Sequence, residues 1–117
     1  MSTPVETSTT PGTQAEGAVC RHFQRAAELV GKRWVPQIVR VLQAHPARFS
    51  DVRDAIAGIS DQVLSQRLRE LETNGIVVRT VTPTTPVTIS YELSERGQGL
   101  AKVMAELAAW AEESATA

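Results

Sequence analysis

The segment from Gly58 to Thr80, GISDQVLSQRLRELETNGIVVRT, constrains this fold more than any other stretch. Leu64, Leu68 and Leu71 stand at i, i+4 and i+7, one buried stripe of a helix. The spacing predicts a helix from about Ser60 to Thr73. Ser60 supplies its N-cap, Asp61 its favourable first-turn charge, and Asn74-Gly75 its stop. Asn-Gly is also a hairpin signal, but no strand precedes it. The opposite face carries Gln62, Ser65, Gln66 and Arg69, and such a face needs a use outside the core.

The surrounding elements follow from the same patterning. Phe23, Ala26, Ala27 and Val30 predict a first short helix from Arg21, with Gly31 as its stop. Trp34, Ile38, Val41 and Leu42 predict a second helix, in which Pro36 is tolerated within the first turn and which ends near Pro46. Ser50 is expected to cap a third helix, whose Val52, Ala55 and Ile56 continue an inward face begun by Phe49. The AGIS turn, with Gly58, interrupts it. After the fourth helix come two strand-like runs, IVVRTV and VTISYEL. In the second, Val87, Ile89, Tyr91 and Leu93 alternate with Thr88, Ser90 and Glu92. TPTTP between them reads as a hairpin tip. Ser94 is expected to cap a last helix with a stripe of Leu100, Val103, Leu107 and Trp110, widened by Met104, Ala108 and Ala111. Gly97 and Gly99 weaken its start. So wide an apolar face wants more than one neighbour.

Residues 1–18, rich in Ser, Thr, Pro and Gly, are too poor in apolar groups to offset the entropy of ordering and read as a disordered tail. Residues 19–117 read as one domain. At 117 residues, 42% hydrophobic and 21% charged, the chain suits an ordinary globular protein. No apolar run approaches the roughly 18 residues of a membrane span, and the N-terminus lacks the regions of a signal peptide. A cytoplasmic location is expected. The single cysteine, Cys20, has no internal disulfide partner, and with His22 and His45 it makes no zinc ligand set. Neither a metal nor a cofactor is implied.

The net charge of −1 conceals an uneven distribution. Residues 21–53 hold seven Lys/Arg against two acids, a balance of +5, while residues 1–20, 54–94 and 95–117 come to −2 each. Positive charge concentrated in this way suits a nucleic-acid partner, although a solvated charged face gives the same count.

Three compact helices, the last two joined by a short Gly-containing turn, outline a helix-turn-helix, and the hairpin after them makes it winged. The expected fold is therefore α+β and mainly helical, a winged helix-turn-helix with a two-stranded wing and a last, C-terminal helix, to which the family resemblance given below adds a dimerisation role. In such units the second helix of the pair enters the major groove of double-stranded DNA. Gln62, Ser65, Gln66 and Arg69 then become the candidate base contacts, since Arg matches guanine, Gln matches adenine and Ser serves either. Arg48, Ser50, Arg53, Ser60, Arg67 and Arg79 are candidates for the DNA backbone. Arg67 lies toward the flank, where it touches phosphate or pairs with an acid such as Glu70 or Asp51. Glu70 and Glu72 would repel phosphate, so they are expected on the far side of the helix or paired within the protein.

The segments ELVGKRWVPQIVRVL, RFSDVRDAIAGISDQVLSQRLRELETNGIVVRT and ISYELSERGQGL resemble successive signatures of the HxlR family of bacterial winged-helix transcriptional regulators. The resemblance spans roughly Cys20 to Glu113. It includes the Gly-Lys/Arg-Trp entry to helix two, the Phe-Ser of helix three, the Ile-Ser turn, the Leu-x-Gln-Arg-Leu-Arg-Glu-Leu recognition helix and the Tyr-x-Leu-Ser strand end. It implies a homodimer in which terminal helices of both chains pack together and two recognition helices meet neighbouring major grooves. Phe23, Leu100, Val103, Leu107 and Trp110 are the expected interface. In two places the chain departs from the family pattern. Lys32 stands where members often have a second Gly, and the hairpin tip Thr82 to Pro86 lacks a Lys or Arg for the minor groove.

Cys20 precedes the first helix, whose dipole, with Arg21, His22 and Arg25, favours thiolate. Several family members respond to oxidants or electrophiles through a cysteine near this place, so the resemblance makes Cys20 a candidate sensor. The other reading is a small, partly buried residue at the dimer seam. No small-molecule effector is identified by the sequence. An enzyme is not expected, because Cys20 and His22 have no carboxylate pair, phosphate loop or Ser/His/Asp set beside them. A winged-helix module that binds protein instead of DNA is the alternative.

Overall fold

The computed structural model describes residues 19 to 116; the expected tail, residues 1–18, lies outside them. The contacts divide the chain at Arg33/Trp34 into two units. In the first, α1 (Arg21–Val30) starts at Cys20, whose Sγ accepts a hydrogen bond from the Phe23 N–H at 3.3 Å. It ends at Gly31, which donates to the Ala27 carbonyl at 2.8 Å. Gly31 has φ −80, and a Cβ there would sit 2.9 Å from the Ala27 oxygen. Close approach, not a left-handed turn, is what asks for glycine at this stop. No residue of α1 is buried.

The second unit begins with Trp34 in the left-handed region (φ 80) as the N-cap of α2 (Val35–Ala44). The buried face of α2 is Val35, Ile38, Val39 and Leu42, while Trp34 and Val41 are only half-buried. The expected stripe is thus rotated by about one residue, because Trp34 lies outside the helix and Val35 takes the first inward position.

A strand absent from the sequence reading follows. β1 (Ala47–Arg48) pairs antiparallel with β3 (Thr88–Leu93), which pairs antiparallel with β2 (Val77–Thr82), giving the order β1-β3-β2. Two residues show no period, so β1 is detectable only through its partner. Its presence corrects the position of the next cap. α3 (Phe49–Ala55) is capped at Arg48, whose N–H donates to Asp51 Oδ2 at 3.3 Å; Ser50 lies exposed inside the first turn.

α4 (Asp61–Thr73) matches the sequence expectation closely. Ser60 Oγ accepts from the Val63 N–H at 3.2 Å, and Leu64, Leu68 and Leu71 are buried. At the far end, Gly75 (φ 74) donates to Glu72 and Ile76 to Leu71, at 3.0 and 2.9 Å. This pair of bonds satisfies the last carbonyls of the helix through a left-handed glycine.

The hairpin is less regular than its sequence. Thr88, Ile89, Ser90 and Tyr91 are all half-buried, because β1 flanks β3 on one side and β2 on the other. Val87 is exposed and lies outside the strand, and Thr82 belongs to β2. The connection therefore runs from Pro83 to Val87.

α5 (Glu95–Thr116) begins where Ser94 joins three elements. Its N–H donates to the Ile76 carbonyl at 2.9 Å. Its hydroxyl lies against the Gly75 and Ile76 carbonyls and accepts from the Gly97 N–H at 3.0 Å. A Cβ at Gly97 would fall 2.2 Å from the Ile76 oxygen. Gly97, expected to weaken the start of this helix, also lets α5 approach the chain leaving α4 through its missing side chain. Ala101 and Met104 complete a core that also holds Ala47, Val52, Ile56, Ile59, Ile76, Val77 and Leu93.

Candidate nucleic-acid interface

The leucine stripe fixes α4 against the core, and its rotation decides which polar groups face water. Gln62, Ser65, Gln66 and Arg69 are brought together around one shallow open depression. Gln62, Gln66 and Arg69 are exposed and Ser65 half-buried, with Arg69 Nη2 3.5 Å from Ser65 Oγ. The four residues thus present amide and guanidinium donors with amide and hydroxyl acceptors on one surface, the inventory that base edges require.

The candidate backbone contacts divide into two sets. Arg48, Ser50 and Ser60 are exposed, although Ser60 Oγ is engaged in capping α4. Arg79 is exposed on β2, with Tyr91 as its cross-strand Cα partner. Arg53 and Arg67 face other demands. Arg53 reaches Asp54 at 3.2 Å and Asp61 at 3.3 Å, and these carboxylates, Asp54 first, hold its guanidinium above the ordinary range. Arg67 pairs with Glu70 at 3.3 Å, both side chains largely covered. Of the two outcomes open for Arg67 and Glu70, the internal ion pair is the one observed.

Glu72, expected on the far side of the helix or paired within the protein, lines an open polar cleft of about 380 Å³ with Ser65, Arg69, Arg79 and Tyr91, next to the depression on α4. Tyr91, which strand alternation assigned inward, is half-buried and lines this cleft. Its pairing with Arg79 could have been found by aligning the two runs as a hairpin.

The residues expected at a dimer interface are mostly uncovered. Val103, Leu107 and Trp110 are 57%, 47% and 63% exposed, and Phe23 64%, whereas Leu100 is half-buried. Within the second unit, beside the α5 residues, runs an open, mainly apolar groove of about 590 Å³, lined by Trp34, Val41, Ile56, Met104, Leu107 and Ala111 among others, with Gln37 and Arg40 also contributing. It shares no lining residue with the depression on α4. Cys20 is exposed. Among the described residues no group of three or more His, Cys, Asp or Glu could hold a metal, and no helix is long and apolar enough to cross a membrane.

Known proteins resemble this chain in sequence and fold. A family model for the HxlR-like helix-turn-helix matches residues 29–117. The HTH-type transcriptional regulator YvaP of Bacillus subtilis is 42% identical over 98 residues, spanning 84% of this chain and 91% of YvaP. The regulator YodB of the same organism is 43% identical over 95 residues, 81% of this chain and 85% of YodB. The reduced form of YodB superposes with a TM-score of 0.74, covering 81% of this chain and 93% of that one. YodB has also been solved after diamide treatment and with quinone bound, at TM-scores of 0.72 and 0.71. These relatives are transcriptional regulators, not enzymes. With the helix-turn-helix, the wing and the exposed polar face of α4 in place, this chain belongs to the HxlR-like helix-turn-helix family of DNA-binding transcriptional regulators.

Proposed function

We propose that the protein regulates transcription in the cytoplasm as a homodimer that reads two related half-sites, one through each α4. The observation that carries this reading is the contrast within α4: three leucines buried against the core, and Gln62, Ser65, Gln66 and Arg69 gathered on the outward side. These four residues are the base contacts of the proposal, with Arg48, Ser50 and Arg79 on the backbone. Arg53, Arg67 and Ser60 reach phosphate only by leaving or sharing their present partners. The uncovered stripe of α5 and the apolar groove beside it support the second copy, since burial of such a surface is favourable without directional demands. Phe23 and Leu100 join this interface.

Selection of bound sites from random duplex DNA tests the reading. It should return a motif with two-fold symmetry and half-sites about 10 bp apart or a multiple of that. Selected and random duplexes bound alike would refute it.

Cys20 is the proposed sensor of oxidants or electrophiles. YodB, whose structures include diamide-treated and quinone-bound forms, supports that assignment, as does the exposure of Cys20 at the start of α1. A disulfide between subunits, or an adduct on the sulfur, would remove or distort the cap on Phe23. DNA affinity of the wild type should then change on mild diamide treatment while Cys20→Ser stays constant. Equal responses of the two proteins in a binding titration would rule the sensor out.

A further inference from the structure

The cleft between α4 and the hairpin was not foreseen as a unit, and its composition is specific. Ser65, Arg69 and Glu72 stand at i, i+4 and i+7 on α4, and Arg79 and Tyr91 face them as cross-strand partners on β2 and β3. Among the described residues neither Arg69 nor Arg79 has an ion-pair partner within 4 Å, and neither has Glu72. Two guanidiniums and one carboxylate leave the lining with a net charge of +1. The walls also offer two hydroxyls, those of Ser65 and Tyr91.

The geometry points to this cleft as the seat of one phosphodiester of the DNA backbone, with Arg79 and Tyr91 as its donors and Arg69 shared between the phosphate and the base-reading face. The inference rests on the DNA reading of α4. A phosphodiester is a monoanion, which matches the lining, and a guanidinium presents paired donors to phosphate oxygens. Position agrees with chemistry: Ser65 and Arg69 line both this cleft and the depression with Gln62 and Gln66. A strand whose bases lie against α4 therefore has its backbone beside the hairpin. The wing contributes through its base, at Arg79 and Tyr91, although its tip, Pro83 to Val87, has no cation.

Glu72 sets the strength of the site. A carboxylate beside a bound phosphate repels it, so the chain holds affinity for every duplex below what the two arginines alone would give. Removing that charge should strengthen binding without altering the preferred sequence, the reverse of what a carboxylate pairing with a base would do.

The test uses the full chain and its selected operator, with one backbone phosphate at a time replaced by a neutral methylphosphonate. At one position per half-site the replacement should weaken wild-type binding about tenfold, while Arg79→Gln, already weaker, loses nothing further there; its salt slope should fall by about 0.9 per half-site. Tyr91→Phe should lose part of the same position's effect, and serves if Arg79→Gln fails to fold. Glu72→Gln should bind selected and random duplexes several-fold more tightly. If every phosphate that matters to the wild type matters equally to Arg79→Gln and Tyr91→Phe, the cleft holds no phosphate. If Glu72→Gln instead loses preference at one base, that residue reads sequence and the proposal is overturned. Wild-type protein that prefers no duplex overturns the DNA reading itself, and the cleft assignment with it.

Discussion

Helices α4 and α5 solve the same packing problem and leave opposite remainders. Each buries a stripe against the shared core, Leu64, Leu68 and Leu71 from one, Ala101 and Met104 from the other. The outer side of α4 is polar and stable in water. Its amides and guanidinium give up hydration only to a partner that replaces each hydrogen bond, and such an exchange discriminates between partners. The outer side of α5 carries Val103, Leu107 and Trp110, which gain by almost any burial. A surface of the first kind suits selective recognition of a ligand; one of the second kind suits the second copy proposed above.

Trp110→Glu should break the comparison most severely. A charge in the middle of the apolar stripe should leave single chains in sedimentation and reduce operator affinity by about two orders of magnitude, since two linked half-sites bind far more tightly than either alone. An intact dimer would show that the outer face of α5 is not the joining surface.

The inward sides come next. Leu68→Ala should cost about 2–5 kcal/mol of folding stability, and Gln66→Ala, on the opposite side of the same helix, less than about 0.5 kcal/mol. Denaturant melts of the two variants would measure the contrast directly, and similar losses would contradict the rotation assigned to α4.

Arg69→Ala sharpens the comparison from the outward side. Stability should hardly change, while operator binding weakens by about 1–3 kcal/mol and one base position per half-site loses its preference. An unchanged motif after selection with this variant would remove Arg69 from the base contacts.

The smallest effects belong to residues outside both stripes. Arg48→Ala should weaken all sequences alike and lower the salt slope by about 1. Arg53→Ala should do less, because Asp54 and Asp61 already hold that guanidinium. An Arg53→Ala loss larger than that of Arg48→Ala, in the same anisotropy titration, would mean that Arg53 leaves its acids for the duplex.

What the sequence determined by itself was local. The leucine spacing of α4, its Ser60 cap and its Asn74-Gly75 stop lie within hydrogen-bonding or packing reach along the chain, so periodicity and capping chemistry expose them without any partner. The outward set of Gln62, Ser65, Gln66 and Arg69 follows from that phase. The tertiary structure decided whatever depends on residues far apart in sequence. β1 exists because Ala47 and Arg48 meet Tyr91 and Ser90, and Gly97 is needed because Ile76 passes within 2.2 Å of where its Cβ would stand. Arg53 is held by Asp61 across the turn between helices. The cleft of Ser65, Arg69, Glu72, Arg79 and Tyr91 forms only when the hairpin folds back beside α4. A side chain's type and phase are inherited from its neighbours in the chain, but the charge it meets is set by elements that packing brings to it.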